Sequence, residues 1–148
     1  MVKTLFFSNL YSHPDKLLED HLVGVAKLSE LFLSEKPEKI KNQLIDVSRI
    51  IALSHDIGKA TNYFQNYLKS NEKEKIRLKR QKETWHSLLS AVCVYFLVKE
   101  IKKDNLNPFF AFFTVNRHHR DLIDVVDGTL FDDDDVKLLH EQCESIDD

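Results

Sequence analysis

Apolar residues recur every three or four positions over several long stretches of the chain, which is the spacing that predicts amphipathic helices. The first stretch predicts a helix over about residues 15–34, and His21 lies on its apolar face. The second predicts a helix from about residue 38 to 55, so that His55 ends the same apolar stripe. Gly58 follows, and we expect it to end the second helix in a left-handed conformation.

Later stretches continue the helical pattern. Further helices are predicted over about residues 61–68, 83–102, 108–117 and 136–145. Thr84 is the expected N-cap of the 83–102 helix, whose apolar face includes His86. The block Phe109–Phe113 is apolar nearly all round and is typical of a buried helix. With only 3 Gly and 3 Pro to interrupt them, long helices predict an all-α fold.

Composition fits one globular domain. At 148 residues and 17.4 kDa the chain is long enough for a single core. With 30% charged and 43% hydrophobic residues, we expect a soluble and globular chain and not a disordered one. A net charge of -3 does not favour nucleic-acid binding by bulk electrostatics. No apolar run approaches the roughly 20 residues of a membrane span, and no signal peptide is evident, so we expect a cytoplasmic protein without a membrane partner.

Two charged stretches carry weaker signals. Residues 69–82 mix both signs with lysine and arginine in excess, which indicates either a solvated surface or a basic flap that guides a phosphate backbone. Asp132–Asp135 lack the alternating ligand spacing of a calcium loop, so we expect them to cap the helix that follows.

The histidines point to a metal site. Of seven histidines, five fall at inward-facing or terminal positions of separate predicted helices: His21, His55, His86, His118 and His119. Asp56 follows His55 directly, and its two oxygens can bridge two cations. Imidazoles buried together without a cation leave lone pairs unsatisfied, at a cost of about 1–3 kcal/mol each. The alternative is a set of hydrogen-bonded core histidines. A ligand set rich in nitrogen favours manganese, nickel or cobalt, with iron as a further candidate, over magnesium.

These residues together resemble a known family. The chain contains His21, then His-Asp-Ile-Gly-Lys-Ala-Thr at 55–61 followed by Phe64-Gln65, then His86-Ser87, then His118-His119. This pattern is similar to the HD nuclease domain of CRISPR-associated systems, the nuclease part of the type I nuclease–helicase. The His-Asp pair alone indicates only the wider HD phosphohydrolase superfamily, whereas the extension after it and the double histidine match the narrower family. The resemblance covers residues 21–119.

The resemblance implies an HD-domain helical bundle with its metal site between the helices. It implies metal-dependent cleavage of DNA, chiefly single-stranded, with a CRISPR helicase subunit or domain and an RNA-guided surveillance complex as partners. By motif, Asp56 bridges up to two ions, of which His21 and His55 bind the first. His86, His118 and His119 bind the second. Lys59 contacts the scissile phosphate beside Asp56, and Arg117 and Arg120 are candidates for contacts with neighbouring phosphates.

Two other functions remain open from the sequence. One is an HD phosphohydrolase that acts on nucleotides or cyclic nucleotides, and the other is a non-catalytic helical adaptor for a helicase partner.

The chain departs from the family pattern in one respect, because no later helix supplies the aspartate that completes the first ion's shell. We therefore expect residues 1–148 to be one HD nuclease domain that lacks a C-terminal portion. Its first metal site should be the weaker one unless Asp124 substitutes.

Overall fold

The computed structural model describes residues 9–104, 106–119 and 132–146. Over these ranges the protein consists of seven α-helices, two short 3-10 helices (Ile57–Ala60 and Lys82–Thr84) and one short hairpin. The helices are α1 (Leu18–Ser34), α2 (Glu38–Ser54), α3 (Asn62–Lys69), α4 (Glu72–Leu78), α5 (Ser87–Ile101), α6 (Leu106–Asn116) and α7 (Asp133–Glu144). The hairpin pairs β1 (Tyr11–His13) antiparallel with β2 (Lys16–Leu17). The predicted all-α class is confirmed, with this hairpin as an addition.

The main core lies between α2, α5 and α6. It is formed by buried side chains that recur at helical spacing on α5 and α6 and by one residue of α2, namely Val47, Ala91, Val94, Val98, Ala111, Phe112 and Val115. A second, smaller cluster joins Leu18 and Leu22 of α1 to Ala60. The first cluster packs α2, α5 and α6 together, and the second packs the start of α1 against the segment after α2.

The first helix begins later than the sequence predicts. Lys16 and Leu17 pair with β1 instead of forming the first turn of α1, and the Ser12 hydroxyl donates a hydrogen bond to the Lys16 carbonyl. The amide of Leu18 donates to the carbonyl of Leu10, 2.8 Å away. These contacts use backbone groups that a helix from residue 15 would need.

The helix that carries His86 at its start also begins later than predicted. Residues Lys82–Thr84 form a short 3-10 turn, and α5 starts at Ser87. Thr84 does not cap α5, because its hydroxyl donates to carbonyls that precede it. The side-chain amide of Gln142, from α7, donates to the carbonyls of Glu83 and Trp85 at 2.9 and 2.7 Å. This long-range contact occupies carbonyls of the segment before α5, which stays outside the α-helix.

The surface differs from expectation in one aromatic block. Phe109 and Phe110 are 42% and 58% exposed, so the prediction that Phe109–Phe113 are buried all round is wrong. Only one face of α6 packs against α5 and α2, and Phe112 lies on it.

The two charged stretches lie on the surface. Helix α4, within the first of them, has no buried residue. In the second, Asp132 caps α7 through a reciprocal pair of hydrogen bonds with Asp135. In the described parts of the chain, no helix combines the length and apolarity needed to cross a bilayer.

Candidate metal centre

Asp56 lies at the centre of the histidine cluster. It lies two residues after the end of α2 and is 2% exposed. Its Oδ2 atom lies 2.9 Å from His21 Nε2, while its Oδ1 atom lies 3.0 Å from His86 Nε2 and 3.2 Å from His118 Nε2. The two carboxylate oxygens therefore face two different groups of imidazoles.

The cluster divides into two sets of potential ligands. His21 Nε2 and His55 Nε2 are 3.2 Å apart on the Oδ2 side, and His86 Nε2 and His119 Nε2 are 3.2 Å apart on the Oδ1 side. Among the described residues, the first set has three potential ligands, His21, His55 and Asp56. The second set has four, namely Asp56, His86, His118 and His119. All six side chains that the sequence singles out as metal ligands are brought together.

The helix ends explain why residues so distant in sequence meet. His55 and Asp56 follow the last residue of α2, His86 precedes the first residue of α5, and His118 and His119 follow α6. His21 comes from the first turn of α1, which packs beside the end of α2. Four helices thus deliver their polar residues to one point, while their apolar faces form the core.

A close contact between the backbones of two segments fixes the cluster. A Cβ atom on Gly58 would lie 3.1 Å from both the Cα and the carbonyl carbon of His86, and still closer to its carbonyl oxygen. The Ser90 hydroxyl accepts a hydrogen bond from the Gly58 amide and donates one to the His86 carbonyl. Gly58 therefore serves this close approach. It does not end α2 in a left-handed conformation as expected, because no described glycine has a positive φ.

The chemistry of the donor set fits a divalent cation. His55 Nδ1 lies 2.9 Å from the Ala52 carbonyl oxygen, and His118 Nδ1 lies 2.6 Å from that of Val115. A neutral ring that donates from Nδ1 keeps only a lone pair on Nε2, and both Nε2 atoms face the Asp56 carboxylate. Two nitrogens that each lie about 2.1 Å from one ion are separated by roughly 3.0–3.4 Å, close to the spacing within each imidazole pair. A divalent cation would satisfy these converging lone pairs.

Protonation states also fit metal binding. Burial lowers the pKa of His21, His55 and His86, and outweighs the attraction of the Asp56 carboxylate. Partial burial, with repulsion from His118 and His86, lowers the pKa of His119 to about 4.

Burial alone would raise the pKa of Asp56, but its contacts with His118, His86 and Lys59 hold that pKa well below its usual range. At neutral pH these four imidazoles are therefore neutral and the carboxyl is ionised, as ligation requires.

Of the three residues predicted to bind phosphate, the structure describes Lys59 and Arg117 but not Arg120. The Lys59 ammonium is buried and donates to Asp56 Oδ2 at 2.8 Å and towards the Ser12 carbonyl at 3.4 Å. This placement supports a role in holding Asp56, and its contact with a phosphate stays a prediction. Arg117 follows α6, and its buried Nε has no hydrogen-bond partner among the described residues. Arg120 and Asp124 lie outside the described residues.

Three residues near the cluster were not identified from the sequence. His13 lies edge-on to His21 with 5.4 Å between ring centroids, an approach that depends on the hairpin. Gln142 acts from α7 through the backbone before His86, and nothing in its local sequence indicates this. Ser90 had a detectable signal, since a polar residue one turn after His86 on an apolar helix face needs a buried partner.

Comparison with known families gives one match. The family model described as "Cas3, HD domain" matches residues 13–128 of the 148. Comparison with curated proteins and with solved structures gives no match. The matched range includes every histidine of the cluster and Asp56.

Proposed function

Because the chain belongs to the Cas3 HD-domain family of CRISPR-associated, metal-dependent nucleases, we propose that it cleaves single-stranded DNA during CRISPR interference. The observation that best supports this function is the Asp56 carboxylate, whose two oxygens each face a separate set of imidazoles. A helicase subunit or domain and an RNA-guided surveillance complex are the proposed partners that deliver the strand.

In this proposal the cluster holds two divalent ions. Asp56 would be shared between them, His21 and His55 would hold one, and His86, His118 and His119 would hold the other. Bound divalent ions supply a water of lowered pKa as nucleophile and neutralise charge on the phosphate and leaving oxygens. Manganese, nickel or cobalt suits the nitrogen-rich set, with iron as a further candidate and magnesium weaker.

The chain's own residues orient this centre. The carbonyls of Ala52 and Val115 fix the ring orientation of His55 and His118 and increase their basicity. The Lys59 ammonium keeps Asp56 ionised and in place between the two sets. His119 is the exposed member and faces the open side of the cluster, where a phosphodiester can approach. Arg117 is proposed to contact a neighbouring phosphate there, and Arg120 a second one.

Cleavage assays with several substrates test the proposal. Labelled single-stranded DNA, duplex DNA, single-stranded RNA, free nucleotides and cyclic nucleotides are incubated with Mn²⁺, Ni²⁺, Co²⁺ or Mg²⁺. We expect cleavage of single-stranded DNA that is abolished by EDTA and by His118→Ala. Hydrolysis of nucleotides alone would identify a phosphohydrolase instead. No hydrolysis of any substrate, despite bound metal, would favour the non-catalytic adaptor.

A further inference from the structure

A small aromatic cavity opens beside the second set of ligands. It has a volume of about 290 Å³, and its walls include Phe64, Tyr67 and Trp85, with Lys79 at one side. His86 and His119 also line it, so the cavity is continuous with the candidate metal centre. Trp85 is 41% exposed despite its size, which leaves much of the indole accessible to a ligand.

The lining favours a flat, aromatic ligand attached to a negative charge. The Phe64 and Tyr67 ring centroids are 5.8 Å apart, and Phe64 packs edge-on against His86. A cavity of this volume is near the lower end of the range for small-molecule pockets, about 300–1,000 Å³, and suits one ring system. Aromatic side chains with a nearby cation form the usual surface on which proteins stack single-stranded bases. Lys79, which follows α4 directly, is the lysine of the lining.

Hydrogen bonds fix the position of Trp85 relative to His86, the candidate metal ligand that follows it in the chain. The indole Nε1 donates to the Lys79 carbonyl at 3.3 Å, and the Trp85 carbonyl accepts from the Gln142 amide at 2.7 Å. Gln142 therefore fixes the backbone on which both Trp85 and His86 are carried. A base against Trp85 and a phosphate at the metal centre would be held at a constant separation.

We propose that this cavity binds one nucleobase of the single strand, adjacent to the phosphate that reaches the metal centre. The inference rests on the proposed nuclease function and adds a subsite to it, formed by Trp85 and Tyr67 with Lys79 on the strand's backbone. Stacking tolerates all four bases, so the subsite positions the strand without selecting a sequence.

The test combines a protein variant with a modified substrate. Single strands that carry one abasic residue, moved stepwise past the cleavage position, are compared with the intact strand for wild type and Trp85→Ala. In the wild type we expect one abasic position to lower kcat/KM by about tenfold, in the range for one stacked base. On the intact strand, Trp85→Ala should have a kcat/KM lower than that of the wild type by a similar factor. For this variant, the same abasic position should cause no further fall in kcat/KM. Equal sensitivity of both proteins to base loss would overturn the proposal.

Two controls separate stacking from damage to His86. Trp85→Phe keeps an aromatic face and should retain most activity, while Phe96→Ala removes an aromatic that is 58% exposed, about 15 Å further along α5, and should change nothing. If Trp85→Phe is as impaired as Trp85→Ala, the proposal is refuted.

A binding measurement separates the subsite from the nuclease function. Trp85 is the single tryptophan of the chain, so its fluorescence reports directly on the cavity. We expect saturable quenching of the wild type by short oligothymidylate and not by an abasic strand of equal length. Absent or equal quenching by the two strands overturns the subsite. If the wild type cleaves no strand, the nuclease proposal fails while this titration still decides the subsite.

Discussion

Replacing Gly58 with alanine tests whether the contact between the two ligand-bearing segments sets the metal centre. The added Cβ atom would lie 3.1 Å from two backbone carbons of His86 and closer still to its carbonyl oxygen. Ordinary contacts of this kind are about 3.5–4.0 Å, so the His86 oxygen has to withdraw by roughly 1 Å. That movement also breaks the hydrogen bonds that Ser90 makes to both segments.

The expected effects differ between stability and activity. Overpacking of this kind costs about 1–3 kcal/mol of unfolding free energy. Displacing a ligand by about 1 Å lowers the rate by about 100-fold. Because His86 belongs to the second set of ligands, its ion should bind more weakly, while the ion held by His21 and His55 is less affected.

Gly24→Ala is the matched control. Gly24 lies within α1, and a Cβ atom there meets nothing within 4 Å. Alanine should stabilise that helix by roughly 0.5–1 kcal/mol and leave cleavage unchanged. Urea unfolding of the metal-free proteins, metal titration by calorimetry and single-strand cleavage measure the three effects. Wild-type stability and activity in Gly58→Ala would refute the reasoning.

Three further predictions follow from the site. Asp56→Ala should abolish cleavage and destabilise the metal-free protein by about 3–5 kcal/mol, because it leaves the Lys59 ammonium buried without its carboxylate. The double variant Asp56→Ala with Lys59→Met should regain stability but not activity. Recovered cleavage activity would contradict the bridging role of Asp56. Calorimetry should find Mn²⁺, Ni²⁺ or Co²⁺ bound more tightly than Mg²⁺, in two unequal sites of which the four-donor one is tighter; tighter Mg²⁺ binding, or two equal sites, would contradict the ligand assignment. The pKa of His119 is about 4 in the folded protein, against an ordinary value of 6.5. Between these two pH values the unfolded chain binds more protons than the folded one, so the stability of the metal-free protein should fall as pH drops from about 6.5 to 4. Urea midpoints that rise as pH drops over this range would contradict the prediction.

The sequence by itself determined the class of fold and the identity of the cluster. The apolar spacing that predicts α1, α2 and α6 is a local property, since residues three and four apart share a helix face whatever else the chain does. The predicted boundaries of α2 agree closely with Glu38–Ser54 for this reason. The histidines and Asp56 were also recognisable, because several imidazoles at the ends of apolar helices need a common partner.

Only the tertiary structure decided how those residues are arranged. His86 precedes α5, and does not lie within it, because Gln142 binds carbonyls 57 and 59 positions away, a partner that no local pattern encodes. The glycine at 58 is compatible with several roles, and its contact with His86 selects one of them. Likewise, the charge of Lys59 is visible in the sequence, but its burial against Asp56 depends on how α1, the hairpin and α2 pack. Local spacing fixes which side chains share a face, whereas the distances between faces follow from packing of the whole core.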